Sequence, residues 1–476
     1  MNADVIRPFR ETLDSLPAIR KDDLLPEIRQ ELLDNPSRLF VLDDDPTGPQ
    51  TVRNVGFLTV WDRDTLQGEF HSADEATFVL TNSRSVHLQK AIEINEEVGA
   101  TLKSLSISTG LPISVISRSD STLRGHFPDE VQSLAKSLYS GEGFDALLFI
   151  PFFKEGGRYT IDDIQYAQDG DNLIPVSQTP FAKDTAFGYQ SSNLLEWIEE
   201  KYRGSIKASE VASISIDDIR IGGVQKVQTI LQNLESEKIC IVNAADMKDL
   251  DVVALSVLRA EKLGKRFLFR TSASFVRSRI GQSEQPLLTR EEISTSKDGG
   301  ALILIGSHVQ GSTRQLEKVL EIPGMNSVEL SVRGVVEGDN EIVDSIVKVV
   351  EDKLASSKDI TVFTSRELIT GESAEEYLDI GAKVTDAMSE IVRKLSVKPR
   401  YIVSKGGMTS SNVTKHALNM KRAQVPGQVL PGVLVLEMGR EAKYPGTRLI
   451  LFPGNVGEPN AIADVIHKMS ISPQRR

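Results

Sequence analysis

Short apolar runs rich in β-branched residues alternate with amphipathic stretches along most of the chain. Runs at 39–42, 77–80, 113–116, 146–150, 239–242 and 267–269 each end in a polar or glycine-containing turn. Helical periodicity follows, most clearly over 88–105 and 128–138. The theme restarts at 301–305, 360–363, 401–403 and 448–452. This repetition predicts an α/β fold with two domains, each a mostly parallel sheet flanked by helices. Residues 1–35 place Leu13, Leu16, Ile19, Leu24, Leu25, Ile28 and Leu32 at helical spacing and read as an N-terminal helical extension. Residues 281–300 lack apolar periodicity and end in Gly-Gly, which reads as a linker between domains at 36–280 and 301–476.

In open α/β sheets ligands bind beyond the carboxyl ends of the strands, so the residues delivered there carry the candidate chemistry. In the first domain they are Asp43, Asp44 and Asp45; Asn82, Ser83 and Arg84; Arg118, Asp120, Ser121 and Arg124, followed by Gly125; and Lys154, Glu155 and Arg158. Converging guanidiniums suit a small carboxylate or phosphate, which each can grip with two parallel hydrogen bonds. The adjacent carboxylates suit hydroxyl recognition, proton abstraction or Mg²⁺ binding. Any one of these loops alone reads equally well as a solvated helix cap. The second domain offers glycine instead. Gly306-x-x-x-x-Gly311-Ser312-Thr313 is a phosphate-loop skeleton with serine in the lysine position, and Gly406-Gly407 and Pro453-Gly454-Asn455-Val456-Gly457 follow two further strands. Glycines there let backbone N–H groups approach anionic oxygens closely.

Composition narrows the classes. The chain has 476 residues, with 55 Lys+Arg against 67 Asp+Glu and a formal charge of −12. An acidic balance without a basic block argues against nucleic acid as partner. No apolar run reaches the ~18 residues of a membrane span, and the first residues lack a signal-peptide core, so a cytoplasmic protein is expected. Cys240 is the single cysteine, and the six histidines show no zinc spacing. Neither Gly-x-Gly-x-x-Gly nor Gly-x-Ser-x-Gly occurs, which weakens dinucleotide-oxidoreductase and hydrolase readings.

Six motifs, in order along residues 40 to 465, carry a resemblance. DDDPTGPQTV resembles the Asp-Asp-x-Thr-Gly opening of the four-carbon acid-sugar kinase family, SRSDSTLRGH its Asp-Ser-Thr-Leu-Arg-Gly motif, and FFKEGGRYTIDDIQY its Gly-Arg-x-Thr segment. IGSHVQGSTRQLE, KGGMTSSNV and FPGNVGEPNAI resemble its Gly-Ser, Gly-Gly-x-Thr and Pro-Gly-Asn-x-Gly loops. The resemblance implies an ATP- and Mg²⁺-dependent kinase for a hydroxyl of a sugar acid such as threonate, erythronate or 3-oxo-tetronate. An N-terminal domain would bind the acid and a C-terminal domain the nucleotide, with chemistry in the cleft between them and a homodimer as a possible assembly. Carried over by motif, Asp44, Asp45, Arg124 and Arg158 serve the acid, and Ser307, Gly406, Gly407, Thr409 and Gly454 hold ATP. With the neighbours of these motifs added, the expected acid site is Arg84, Arg118, Asp120, Ser121, Arg124, Gly125 and Arg158. Asp45 or Asp44 is the expected proton acceptor, and Met408 and Asn455 join the ATP loops. The carboxylate is expected on Arg124, helped by Arg84 or Arg158. The chain departs from the family pattern at Asp45, Pro46 and Pro49, at Arg118 in a frequent lysine position, at Met408 in a usually acidic one, and at Phe452 where lysine is common. The segment 181–195 (FAKDTAFGYQSSNLL) is distinctive and is expected to shape the substrate pocket. Met408 and Phe452 favour, as an alternative, a sugar-acid or nucleotide sensor without turnover. The generic α/β pattern also admits an oxidoreductase or aldolase of the same acids.

Overall fold

The computed structural model describes residues 5–293, 299–306, 310–339, 341–366, 374–454 and 456–470. The chain forms two compact units: 1–55 with 60–285, and 56–59 with 286–476.

The first unit is built on a parallel sheet whose strands run, from one edge to the other, Ala212–Ile214, Lys238–Val242, Ala146–Ile150, Phe267–Thr271, Ile113–Arg118, Arg38–Asp43 and Thr77–Leu80. These strands are almost wholly buried, as expected of runs covered by helices on both faces. Met247–Lys262 is buried nearly all round and packs against Leu25–Asp34, whose Ile28 is fully buried. The expected N-terminal extension therefore belongs to this unit. Asp246 caps the long helix by accepting from the Lys248 N–H at 3.0 Å. Helix Leu88–Thr109 ends at Gly110, which takes the left-handed conformation (φ +69°) open to glycine. A separate 4-stranded antiparallel sheet joins Arg7–Pro8, Asn172–Pro175, Ile164–Asp169 and Arg158–Ile161.

Chain order on the main sheet reverses at Arg38–Asp43. Thr77–Leu80 lies on one side of it and Ile113–Arg118 on the other. In open α/β sheets ligands bind beyond the strand ends at such a reversal, and Asp43 and Arg118 stand at the carboxyl ends of these strands.

The second unit has a mixed sheet. Asn326–Leu330, Ile360–Thr364, Leu302–Ile305, Tyr401–Lys405 and Arg448–Phe452 are parallel, and Val433–Met438 and Arg422–Leu430 add antiparallel. Its order reverses at Leu302–Ile305, which places Gly306 beside Lys405 and Gly406. Residues 56–59 belong to this unit, where the Thr59 N–H donates to the Lys421 carbonyl at 3.0 Å. The chain passes between units at Gln285–Pro286, inside the stretch read as a linker. Leu288 and Ile293, in the same stretch, lie in the hydrophobic core of the second unit.

Candidate functional site

The strand Arg38–Asp43 ends by delivering three carboxylates into one place. Asp43 and Asp44 are buried, and Asp45 is partly open. Gly48 lies so close that a Cβ there would fall on the Asp43 carboxylate and force it to move. Arg118, itself buried at the end of the adjacent strand, faces all three: its Nη1 is 3.0 Å from Asp43, 3.6 Å from Asp44 and 3.2 Å from Asp45. Arg84 pairs with Asp45 and stands 3.7 Å from Asp120. Asp45 also accepts from the Thr47 N–H at 2.7 Å and from the Thr47 hydroxyl.

These contacts divide three adjacent aspartates by environment. Burial raises the Asp45 pKa, but Arg118, Arg84 and the Thr47 hydrogen bonds outweigh it and hold the group well below the usual carboxylate range. For Asp44 burial wins, assisted by the neighbouring Asp45 charge against the pull of Arg84, and its pKa is pushed up to about 6. Both Asp44 oxygens are buried without a hydrogen-bond partner. Asp43 is also raised by burial, even though Arg118 donates to it.

The loop after Ile113–Arg118 supplies the rest. Leu123 is buried in the left-handed region (φ +68°), an uncommon place for a branched side chain, and Gly125 follows at φ +131°. This winding sends Arg124 to Asp120, with Nε at 2.7 Å, and to Asp184, with Nη1 at 3.7 Å. A Cβ on Gly125 would stand 2.9 Å from Arg270 and 3.5 Å from Asp44. Arg270, buried on the neighbouring strand, donates to Ser117 at 2.7 Å and to Glu130 at 3.0 Å. The Phe181 ring lies between two guanidiniums, Arg124 at 5.0 Å and Arg158 at 5.5 Å from its centroid. Among the described residues Arg158 forms no ion pair. Its Nη1 donates to the Gly156 carbonyl, and its Nε is buried without a partner. Burial and the nearby Arg124 lower the Arg158 pKa, although Asp120 opposes them. Among the described residues of this cluster, Asp44 is a buried carboxyl without a hydrogen bond and Arg158 a guanidinium without an ion pair, with Arg84, Asp120, Arg124 and Phe181 around them.

Ser121 is buried, and its carbonyl accepts from the Gln165 amide at 2.9 Å. His126 packs edge-on against Phe187 and contacts the Val86 carbonyl at 2.9 Å. Phe181, Asp184 and Phe187, which contact Arg124 and His126, all come from the 181–195 segment.

In the second unit, Gly306 follows Leu302–Ile305, and a Cβ on it would collide with the Thr409 hydroxyl. Gly406, at φ +113°, turns the chain from strand Tyr401–Lys405 into the helix Gly407–Asn412, where Thr409 is buried. The Ser312 hydroxyl reaches the Gly454 carbonyl at 3.4 Å. The expected loops at Gly306, Gly406–Gly407 and Gly454 therefore meet at one end of this sheet. Ser307, Asn455 and the Met408 side chain lie outside the described residues. Lys405 and Arg366 also stand at or just past strand ends here, and a lysine closing a buried strand just before Gly-Gly is the sequence signal for the first of them. Arg366 donates to the Thr364 carbonyl at 2.7 Å and the Ile305 carbonyl at 3.4 Å. Among the described residues no group of three or more His, Cys, Asp or Glu is arranged to hold a metal ion, and no helix is long and apolar enough to cross a membrane.

Comparison with known proteins agrees with this division of chemistry. Residues 39–279 match the model of a sugar-binding N-terminal domain and residues 302–462 that of a nucleotide-binding C-terminal domain, which defines the class as a two-domain sugar- and nucleotide-binding α/β protein. The chain belongs to the four-carbon acid-sugar kinase family, whose architecture joins these two domains. Among solved structures it is similar to a Haemophilus influenzae protein of family DUF1537, with TM-score 0.63 and 18% identity over 90% of this chain and 99% of that one. A Salmonella typhimurium LT2 protein named for a suggested tRNA synthase activity aligns with TM-score 0.67 and 14% identity over 91% of this chain and 100% of its own. At these identities the likeness is one of fold. No curated protein matches the sequence.

Proposed function

We propose that the protein transfers the γ-phosphoryl group of ATP to a hydroxyl of a small, four-carbon sugar acid. The observation that carries this reading is the presence, in the sugar-binding unit, of a guanidinium, Arg158, that forms no ion pair among the described residues, and of a buried carboxyl, Asp44, with its pKa pushed up to about 6. Arg158 receives the substrate carboxylate, since Arg124, Arg118 and Arg84 already face aspartates. Arg124 is held by Asp120 and Asp184 and stacks on Phe181, which fixes the edge of the site rather than its anion.

Phosphoryl transfer asks mainly for positioning and charge neutralisation. Asp45, kept ionised by Arg84 and Arg118, orients the acceptor hydroxyl, and Asp44 accepts its proton. The hydroxyl oxygen forms a bond to the γ-phosphorus, the bond from that phosphorus to the β,γ-bridging oxygen breaks, and its electron pair leaves on ADP. The proton passes to the Asp44 carboxylate and then to solvent. The nucleotide phosphates lie on the Gly306, Gly406–Gly407 and Gly454 loops. Mg²⁺ would enter on those phosphates, as is usual for a cation bound through few protein oxygens.

Ligand binding to the folded state raises its apparent stability by RT ln(1 + [L]/Kd). Thermal unfolding in the presence of threonate, erythronate and 3-oxo-tetronate, each with and without MgATP, therefore tests the proposal. A rise with at least one acid and a separate rise with MgATP are expected. No rise with any four-carbon acid would contradict the substrate class.

A further inference from the structure

Glu130, in the first turn of the helix Asp129–Tyr139, is a buried carboxylate claimed from three elements. Its Oε1 accepts from the Ser83 hydroxyl and from the Asn95 amide at 3.2 Å, and its Oε2 accepts from Arg270 Nη1 at 3.0 Å. Arg270, also buried, lies on Phe267–Thr271 and donates through the same Nη1 to Ser117 Oγ at 2.7 Å. Its Nη2 borders Gly125: a Cβ on that glycine would stand 2.9 Å from Nη2 and 3.5 Å from Asp44 Oδ2. Arg270 and Asp44 thus flank one glycine, yet among the described residues Arg270 forms its ion pair with Glu130 and none with Asp44. A buried ion pair adds little net stability over apolar residues of similar volume, so stability alone does not account for this one.

Asp44 is faced by Asp43 and Asp45 from its own strand end, by Arg84 from the turn after Thr77–Leu80, by Arg118 from Ile113–Arg118 and by Arg270 from Phe267–Thr271. Burial raises its pKa most; Arg84 lowers it, the Asp45 charge raises it, and Arg118 and Arg270 lower it. Arg84 and Arg118 are both engaged by Asp45, whereas Arg270 has Glu130 as its counter-charge. We propose that Arg270 and Glu130 are positioning residues for the phosphoryl transfer. The Arg270 cation holds the Asp44 carboxylate ready for the hydroxyl proton, and Glu130 fixes that guanidinium in place and limits how much of its charge Asp44 feels. Both act through Asp44 and do not touch substrate. This inference rests on the reading of Asp44 as the proton acceptor of a sugar-acid kinase.

The test follows the Asp44 titration in the full chain, for wild type, Arg270→Met, Arg270→Lys and Glu130→Gln, by two readouts. One is the low-pH limb of kcat in a coupled ADP-release assay with MgATP and a four-carbon sugar acid. The other needs no activity: urea unfolding of each protein and of its Asp44→Asn counterpart across the pH range gives the pH at which their stability difference levels off. A unit charge about 6 Å away, at an effective dielectric of ~20, moves a carboxyl by about two pH units. Both readouts should move up by about one to two pH units in Arg270→Met and down by about half a unit to one unit in Glu130→Gln. Arg270→Lys should stay closer to wild type than Arg270→Met. Equal midpoints in wild type, Arg270→Met and Glu130→Gln would overturn the inference while leaving the kinase reading in place. Shifts in unfolding without matching shifts in kcat would overturn the pair's part in the reaction. Should Arg270→Met fail to fold, Glu130→Gln decides alone: an unmoved midpoint overturns the inference. A wild type that releases no ADP with any four-carbon acid would overturn the kinase reading, and the unfolding midpoints still decide whether the pair acts on Asp44.

Discussion

Replacing Asp44 by asparagine should remove turnover and, with rising pH, stabilise the first unit relative to wild type. Its carboxyl moves from an ordinary pKa of 3.8 to about 6 on folding. Each pKa unit is worth about 1.4 kcal/mol, so above pH 6 the ionised group costs the folded state about 3 kcal/mol. The sign follows from proton counts. Between pH 4 and 6 the folded state binds more protons at this site than the unfolded state, so stability falls as pH rises through that window. The penalty is about 1 kcal/mol at pH 4.5 and about 3 kcal/mol at pH 8. An asparagine carries no such titration, and whatever its amide costs to bury is the same at both pH values. The variant should therefore gain about 2 kcal/mol on wild type between pH 4.5 and pH 8. Trp61 and Trp197 both lie in the first unit, so urea unfolding followed by tryptophan fluorescence reports on it. In the same variant kcat should drop by about a hundredfold or more if Asp44 takes the hydroxyl proton. A stability difference that does not change with pH would refute the electrostatic reasoning, and a wild-type kcat would remove Asp44 from the proton-accepting role.

The wild-type kcat itself should fall as pH drops below about 6, where Asp44 becomes protonated; a flat profile down to pH 5 in a coupled ADP-release assay would speak against it. Arg158→Ala should raise KM for the acid by about ten- to hundredfold with KM for ATP unchanged, because the substrate carboxylate loses a charge-assisted pair. Arg124→Ala should cost less acid affinity than Arg158→Ala, and steady-state kinetics with both variants would show the order. Gly48→Ala should destabilise the first unit by about 1–3 kcal/mol through the collision with the Asp43 carboxylate, read from the same fluorescence transition.

Much of the fold is legible in the sequence because buried parallel strands write themselves as short apolar runs. Thr77–Leu80, Ala146–Ile150 and Arg448–Phe452 have the bounds their runs predict. Arg422–Leu430 escapes that reading: its inward and outward positions alternate strictly, but Pro426 and Gly427 interrupt the apolar signal where the pairing register shifts. Residues 56–59 join the second unit through backbone pairing, and backbone pairing has no side-chain signature. The candidate site is legible as a set of strand-end loops. The division of labour within it is not, because three consecutive aspartates look alike until Arg84, Arg118 and Thr47 claim Asp45 and leave the Asp44 oxygens without a hydrogen bond. Arg158 stands out only once its neighbours are seen to be paired.

The most direct test of the account is product analysis by phosphorus NMR after incubating the protein with MgATP and each four-carbon sugar acid. The account predicts ADP and a new phosphate ester on the acid in equal amounts, formed only when both ligands are present and suppressed in Arg158→Ala. ADP with free phosphate in place of the ester, or ATP left intact with every acid, would contradict it.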